Sequence, residues 1–204
     1  MKLLKIAKFY KKSYKFLMIF MYLLILTAIV VTIYGGRIQP WQSLGKKSGE
    51  IAVILFCLSL LPGIARRFEV KSNITLALLL ARPEIGNSMF IFALLHFVCV
   101  RFLTLLKFGF SFPAFFEIFG FISLFLTLPL YLSSSPKMQA RLGKNWKKLH
   151  SLAYVIVWFI LAHVALIGPN KSFLLLAPVA TLEIVSLYLN YMKNRALPKL
   201  NQPS

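Results

Sequence analysis

The chain predicts an all-α membrane protein: a bundle of six transmembrane helices with both termini cytoplasmic. Three observations carry this. Of 204 residues, 59% are hydrophobic, with a mean hydropathy of +0.76, more apolar side chain than a soluble domain of this size can hide. Apolar runs long enough to cross a bilayer recur six times, each bounded by charge, Gly or Pro. The basic residues, which give a net charge of +19, fall mainly between those runs, where Lys and Arg act as topology signals. That placement argues against nucleic acid as a partner and for the lipid bilayer.

Residues 1–15 form a basic amphipathic cytoplasmic stretch holding Lys2, Lys5, Lys8, Lys11, Lys12 and Lys15. The apolar run that follows, 16–34, spans a bilayer at about 1.5 Å per residue and lacks an A-x-A cleavage signal, so it reads as a retained first helix. It stops at Gly35-Gly36-Arg37. The second span covers about 48–65 and stops at Arg66-Arg67. A short apolar piece, 74–81, is too short to cross and is expected at the interface. The third span covers 84–106, and the fourth covers 114–132 and closes in Ser133-Ser134-Ser135-Pro136. The fifth covers 149–167, stopped by Gly168-Pro169-Asn170, and the sixth covers 172–192. Residues 193–204 form a short basic tail. The membrane domain is thus expected over 16–192.

Counting Lys and Arg by side places 18 with the termini and the 2–3 and 4–5 loops, and 6 with the opposite loops. The positive-inside rule puts the richer side in the cytoplasm, in a multi-pass protein of a cell membrane, expected to be a bacterial plasma membrane. This orientation assigns depths. His163 lies 13 residues past His150 in the fifth span, about 20 Å further across. His96 lies 12 residues past Glu84 in the third, roughly 18 Å along. His96 and His163 therefore share a level in the outer half of the membrane.

The chain has three His, and all lie in or at these spans. An intramembrane imidazole is costly and marks a functional site by default. Two neutral imidazoles at one depth on neighbouring helices suit axial ligation of a b-type haem. The plainer account of each is a helix–helix hydrogen bond. His150 stands apart, at a helix start beside Lys147 and Lys148. Thirteen residues leave His150 and His163 about 140° apart on a regular helix. Either the helix is kinked or wound differently near His150, or His150 faces another partner. Cys57 and Cys99 sit singly in apolar runs and read as core. Arg101 and Glu117, near the outer ends of the third and fourth spans, read either as anchors for haem propionates or as a snorkelling pair. Glu183, mid-span in the sixth, must be protonated or paired across helices.

The fifth span and its approach read Gly143, Trp146, Leu149, His150, Leu152, Tyr154 and then His163. With Gly86 ten residues before His96, and Thr127-x-Pro129 closing the fourth span, this pattern resembles the ferric reductase-like transmembrane domain family. That family includes the membrane halves of ferric reductases and NADPH oxidases, and the haem-binding subunit of the bacterial methionine sulfoxide reductase system. The resemblance covers roughly 48–167, the expected haem core, and its specific part is the fifth span. It implies a six-helix cytochrome, the electron-transfer subunit of an oxidoreductase, with iron ligated by His96, His163 and His150 and one or two haems b. Relatives with two stacked haems carry two His on the third helix, whereas this chain has only His96. Arg82 stands where the second would be, about 14 residues earlier, as in the small bacterial haem subunits, so Arg82 opposite His150 is the expected weak second site. No flavin or nicotinamide domain is expected after the sixth span. The donor is then a separate flavoprotein carrying FMN or FAD, or a membrane quinol, and the acceptor an extracytoplasmic (periplasmic) protein or small molecule. The 4–5 loop, with Lys137, Arg141, Lys144, Lys147 and Lys148 and no acidic residue, reads either as a topology signal drawn to anionic lipid or as a landing place for an acidic donor as well. The rival reading from another class is a haem-free small membrane transporter or scaffold.

Overall fold

A computed structural model describes the backbone of residues 2–196 and the side chains of 13–195. The tail from residue 197 and the side chains of the first five N-terminal lysines lie outside the described residues. No strand occurs among the described residues, and six helices are long and apolar enough to cross a membrane. The protein is all-α and multi-pass.

The first helix, α1 (Lys2–Ile33), carries its apolar span over Ser13–Ile33. It ends where Gly35 takes φ +86°, a left-handed turn that glycine adopts without steric cost. The second helix, α2, runs Gln39–Arg67. It starts well before the expected residue 48, because Pro40 suits a first helical turn and Lys46 and Lys47 do not interrupt it. Both lysines are exposed while Gly45 and Ser48 beside them are buried. A Cβ at Gly45 would stand 2.8 Å from Cys99 Cβ, so the small residues of α2 let the next long helix come close, as helices packing in lipid require.

Helix α3 (Asn73–Leu80) is the expected short piece, capped by Ser72 and Thr75 in a reciprocal box. A single rod then runs through α4 (Arg82–Phe97), a π-helical turn (Val98–Phe102) and α5 (Leu103–Phe108). Helix α6 (Phe115–Leu132) follows. The 4–5 loop folds into α7 (Pro136–Leu142) and α8 (Lys144–His150), then α9 (Ala153–Ile167) and α10 (Lys171–Ala196) complete the chain.

Around the bundle, α4 packs on α2, α2 on α10, α10 on α9, α9 on α6 and α6 back on α4, while α1 lies outside against α4. Two apolar cores result. One joins Phe56, Leu60 and Ile64 of α2 to Ile156 and Val157 of α9 and Leu176 of α10. The other joins Met18 and Met21 of α1 to Ile91, Leu95 and Cys99. Cys57 and Cys99 are both buried and free, as core residues.

Candidate functional site: two histidines facing one cavity

Space enclosed by α2, α4, α6 and α9 forms a cavity of about 510 Å³ lined by His96 and His163 together with Val53, Ala93, Phe97, Phe121 and Leu124. The two imidazole centroids lie 6.2 Å apart with their planes at 76°. Each ring is held from behind by backbone. His96 Nδ1 is 2.8 Å from the Gly45 carbonyl oxygen, and His163 Nδ1 is 2.8 Å from that of Phe116. A carbonyl only accepts, so Nδ1 carries the proton in both rings and the Nε2 lone pair is left for another partner. This is the arrangement in which metal-binding histidines are commonly found, the second nitrogen donating to a carbonyl that fixes tautomer and ring orientation.

Glycines make the room. A Cβ at Gly49 of α2 would sit 2.7 Å from His96 Nδ1, and one at Gly120 of α6 would sit 3.0 Å from His163 Nδ1 and Cε1. Neither ring could keep its place beside a larger residue. Gly120→Ala is therefore expected to displace the His163 ring and lower any metal affinity by about 10- to 100-fold, the usual cost of disturbing a ligand's support; metal content per chain at limiting supply reads this directly. Wild-type occupancy in both Gly49→Ala and Gly120→Ala would count against the pair as ligands.

Two hydroxyls on the cavity wall are satisfied within their own helix, while Lys46 and Glu50 add charge to the lining. The Ser123 and Thr127 hydroxyls bond to the carbonyls of Gly120 and Leu124 at 2.8 Å each. At the mouth, Arg101 pairs with Glu117 at 3.4 Å and also donates to the Ser111 carbonyl. Glu117 in turn accepts from the Ala114 amide at 2.8 Å. The π-helical turn explains the position of Arg101. Five residues on a regular helix would leave it about 140° from His96, whereas i→i+5 winding brings it back over the same face.

His150 is not part of this group. Helix α8 ends at His150 and α9 begins at Ala153. Between them the chain winds tightly: Leu152 N bonds to Leu149 O and Val155 N to Leu152 O, both i→i+3 bonds. The helix is thus wound differently near His150. The imidazole stacks on Trp146 at 4.2 Å, and its Nε2 lies 3.1 Å from Ser133 Oγ. The Ser133 hydroxyl also lies 2.7 Å from the Pro129 carbonyl, so Ser133 and His150 Nε2 share one hydrogen-bonded cluster at the end of α6. Arg82 lies within electrostatic reach of His150, yet no hydrogen bond joins them, and Arg82 lines a separate cavity at the basic end.

Glu183 is paired across helices. Its Oε1 contacts Arg67 of α2, whose Nε also donates to Ser186 Oγ at 2.8 Å and whose Nη1 donates to Tyr154 OH at 3.3 Å. Sequence reading counted Arg67 as a topology charge at a helix end and missed this role; its signal was the lone carboxylate of the sixth span, which needed a cation from another helix.

Among the described residues no group of three or more His, Cys, Asp or Glu is placed to hold a metal ion. The chain offers a pair of nitrogens. A bare-ion site of the tetrahedral type needs three or four protein ligands, but a ring that brings four nitrogens of its own needs only two. The two rings, 6.2 Å apart and lining one cavity, with Nδ1 engaged and Nε2 left over, would suit holding such a group. No protein-family model and no solved structure matches the chain.

Proposed function

We propose that this protein is a membrane cytochrome b of the ferric reductase-like kind, carrying electrons across a cell membrane. One observation carries the reading: two imidazoles on different helices, each with Nδ1 tied to a carbonyl, 6.2 Å apart and lining one mostly apolar cavity. Haem, when bound, supplies reversible one-electron chemistry at iron. His96 and His163 would hold the iron through Nε2. The Gly45 and Phe116 carbonyls fix the rings and raise their basicity. Gly49 and Gly120 give the rings their space, and the apolar lining keeps water away. The Arg101–Glu117 pair closes the mouth and keeps two charges neutral beside the cavity.

The proposal is confined to one haem. His150 lies outside the cavity, stacked on Trp146 with Nε2 beside Ser133 Oγ, and Arg82 lines a separate cavity. The basic end faces the cytoplasm in this reading, on the 18-to-6 distribution of Lys and Arg. The donor is a separate flavoprotein arriving at the basic 4–5 loop, or a quinol in the bilayer. The acceptor lies on the opposite side, beyond the Arg101–Glu117 mouth.

The full chain, produced with ample haem supply and purified in detergent, is expected to be red. Its spectrum should show a Soret band that shifts on dithionite reduction and a haem content of about one per chain. A colourless, monodisperse protein that takes up no haem overturns the reading and favours a haem-free transporter or scaffold.

A further inference from the structure

A second cavity, of about 1040 Å³, opens at the basic end between the last turn of α2, the loop before α3, α3 itself and the first turn of α4. Its wall has two characters. Arg66, Lys71 and Arg82 supply cations, and Pro62, Leu76 and Leu79 supply apolar surface.

No salt bridge among the described residues ties up Arg66, Lys71 or Arg82. Glu69 also lines the cavity, but its carboxylate contacts Lys193, whose hydrogen bond and charge hold that carboxyl below the usual carboxylate range. Glu183 is taken by Arg67. Arg82 feels the repulsion of Arg66 and Arg67 against the attraction of Glu183, and Lys71 acts on Glu69 only at a distance, so cations outnumber carboxylates around the cavity. Gly63, on the cavity wall, leaves the Arg67 guanidinium close behind it: a Cβ there would be only 3.7 Å from Nη1. Like charges gathered at one place repel unless an anion sits among them. The apolar part of the wall continues onto α3, where Ile74, Leu76, Leu79 and Leu80 are 45–61% exposed, as expected of a short helix lying in a bilayer interface.

We propose that this cavity binds one anionic phospholipid of the leaflet on the basic side. The phosphodiester lies among Arg66, Lys71 and Arg82, and an acyl chain runs along Leu76 and Leu79. Basic pockets between helices at this level of a membrane take anionic headgroups, and each cation contributes about fivefold in binding. A soluble phosphate would use the cations but leave the α3 surface uncovered, so the two-sided wall favours the lipid. This inference is independent of the haem reading.

The test uses the full chain in detergent, offered phosphatidylglycerol or phosphatidylcholine of the same acyl length, with bound lipid counted by native mass spectrometry. Retention of phosphatidylglycerol is expected to exceed that of phosphatidylcholine by about tenfold or more, consistent with three cations. The triple variant Arg66→Gln, Lys71→Gln, Arg82→Gln should bring the two to parity. A control with the same charge change, Lys137→Gln, Lys144→Gln, Lys147→Gln, should keep the preference. Lys71→Glu, an exposed loop change that leaves the helices intact, should cut phosphatidylglycerol retention several-fold even where the triple variant folds poorly. Equal retention of the two lipids, an equal loss in the control, or an unchanged Lys71→Glu variant would overturn the proposal. Displacement of the lipid by an equal concentration of inorganic phosphate would also overturn it, in favour of a free-anion site.

Discussion

His96→Ala and His163→Ala should each remove the same Soret band, taking haem content from about one per chain to below about a tenth. Both rings face one cavity with centroids 6.2 Å apart, so in the proposed site both would hold a single iron, and neither could be lost independently. Disturbing only the support of a ligand costs about 10- to 100-fold in metal affinity, and removing the ligand itself should cost more. His150→Ala should leave the band in place, because His150 Nε2 serves Ser133 and lies outside the cavity. Added imidazole should restore a band to His163→Ala, since truncation leaves space where the ring stood. Spectra of the purified variants, with haem measured as its pyridine complex, decide this. Variants that lose different spectral components, or that keep the native band, would break the pairing; loss of the band in His150→Ala alone would move the site to the basic end.

What sequence reading reaches here is depth. Counting residues from the charged ends places His96 and His163 at one level because helical rise is constant, and six apolar runs are enough to read the fold class. What it does not reach is the direction a side chain points and which helix it meets. The start of α2 was hidden because Lys46 and Lys47 look like a loop, yet long basic side chains can leave a helix sideways while Gly45 and Ser48 face the bundle. The partner of Glu183 was hidden because Arg67 belongs to a helix far away in sequence, and that α2 packs between α4 and α10 is a property of the assembled bundle. The carbonyls behind His96 and His163 were hidden for a further reason: every residue has a carbonyl, so composition carries no signal of which one is used. Gly49 and Gly120 are the nearest thing to a signal, as positions where α2 and α6 have no side chain to keep a ring away.

The second large effect is expected at Arg67 and Glu183, whose side chains are 7% and 2% exposed. A buried ion pair adds little over apolar packing, but removing one partner strands a charge at a cost of about 3–5 kcal/mol. The two single variants should differ. In Arg67→Met the stranded group is a carboxylate, which can take up a proton and become neutral, limiting the loss. In Glu183→Leu it is a guanidinium, which stays charged at any working pH, and Arg82 stands within electrostatic reach to repel it. Ser186 and Tyr154 still accept from Arg67, yet neither carries a charge. Glu183→Leu should therefore be the more damaging, lowering the melting temperature in detergent by about 10 °C at the roughly 2–4 °C per kcal/mol usual for a chain of this size. Arg67→Met should cost less, and Glu183→Gln less again, since the amide oxygen still accepts from the guanidinium. The double variant Arg67→Met, Glu183→Leu should recover most of the loss, because no charge is left unpaired. Single variants that melt with the native protein, or a double variant whose losses simply add, would mean that water reaches this pair and that the bundle does not depend on it.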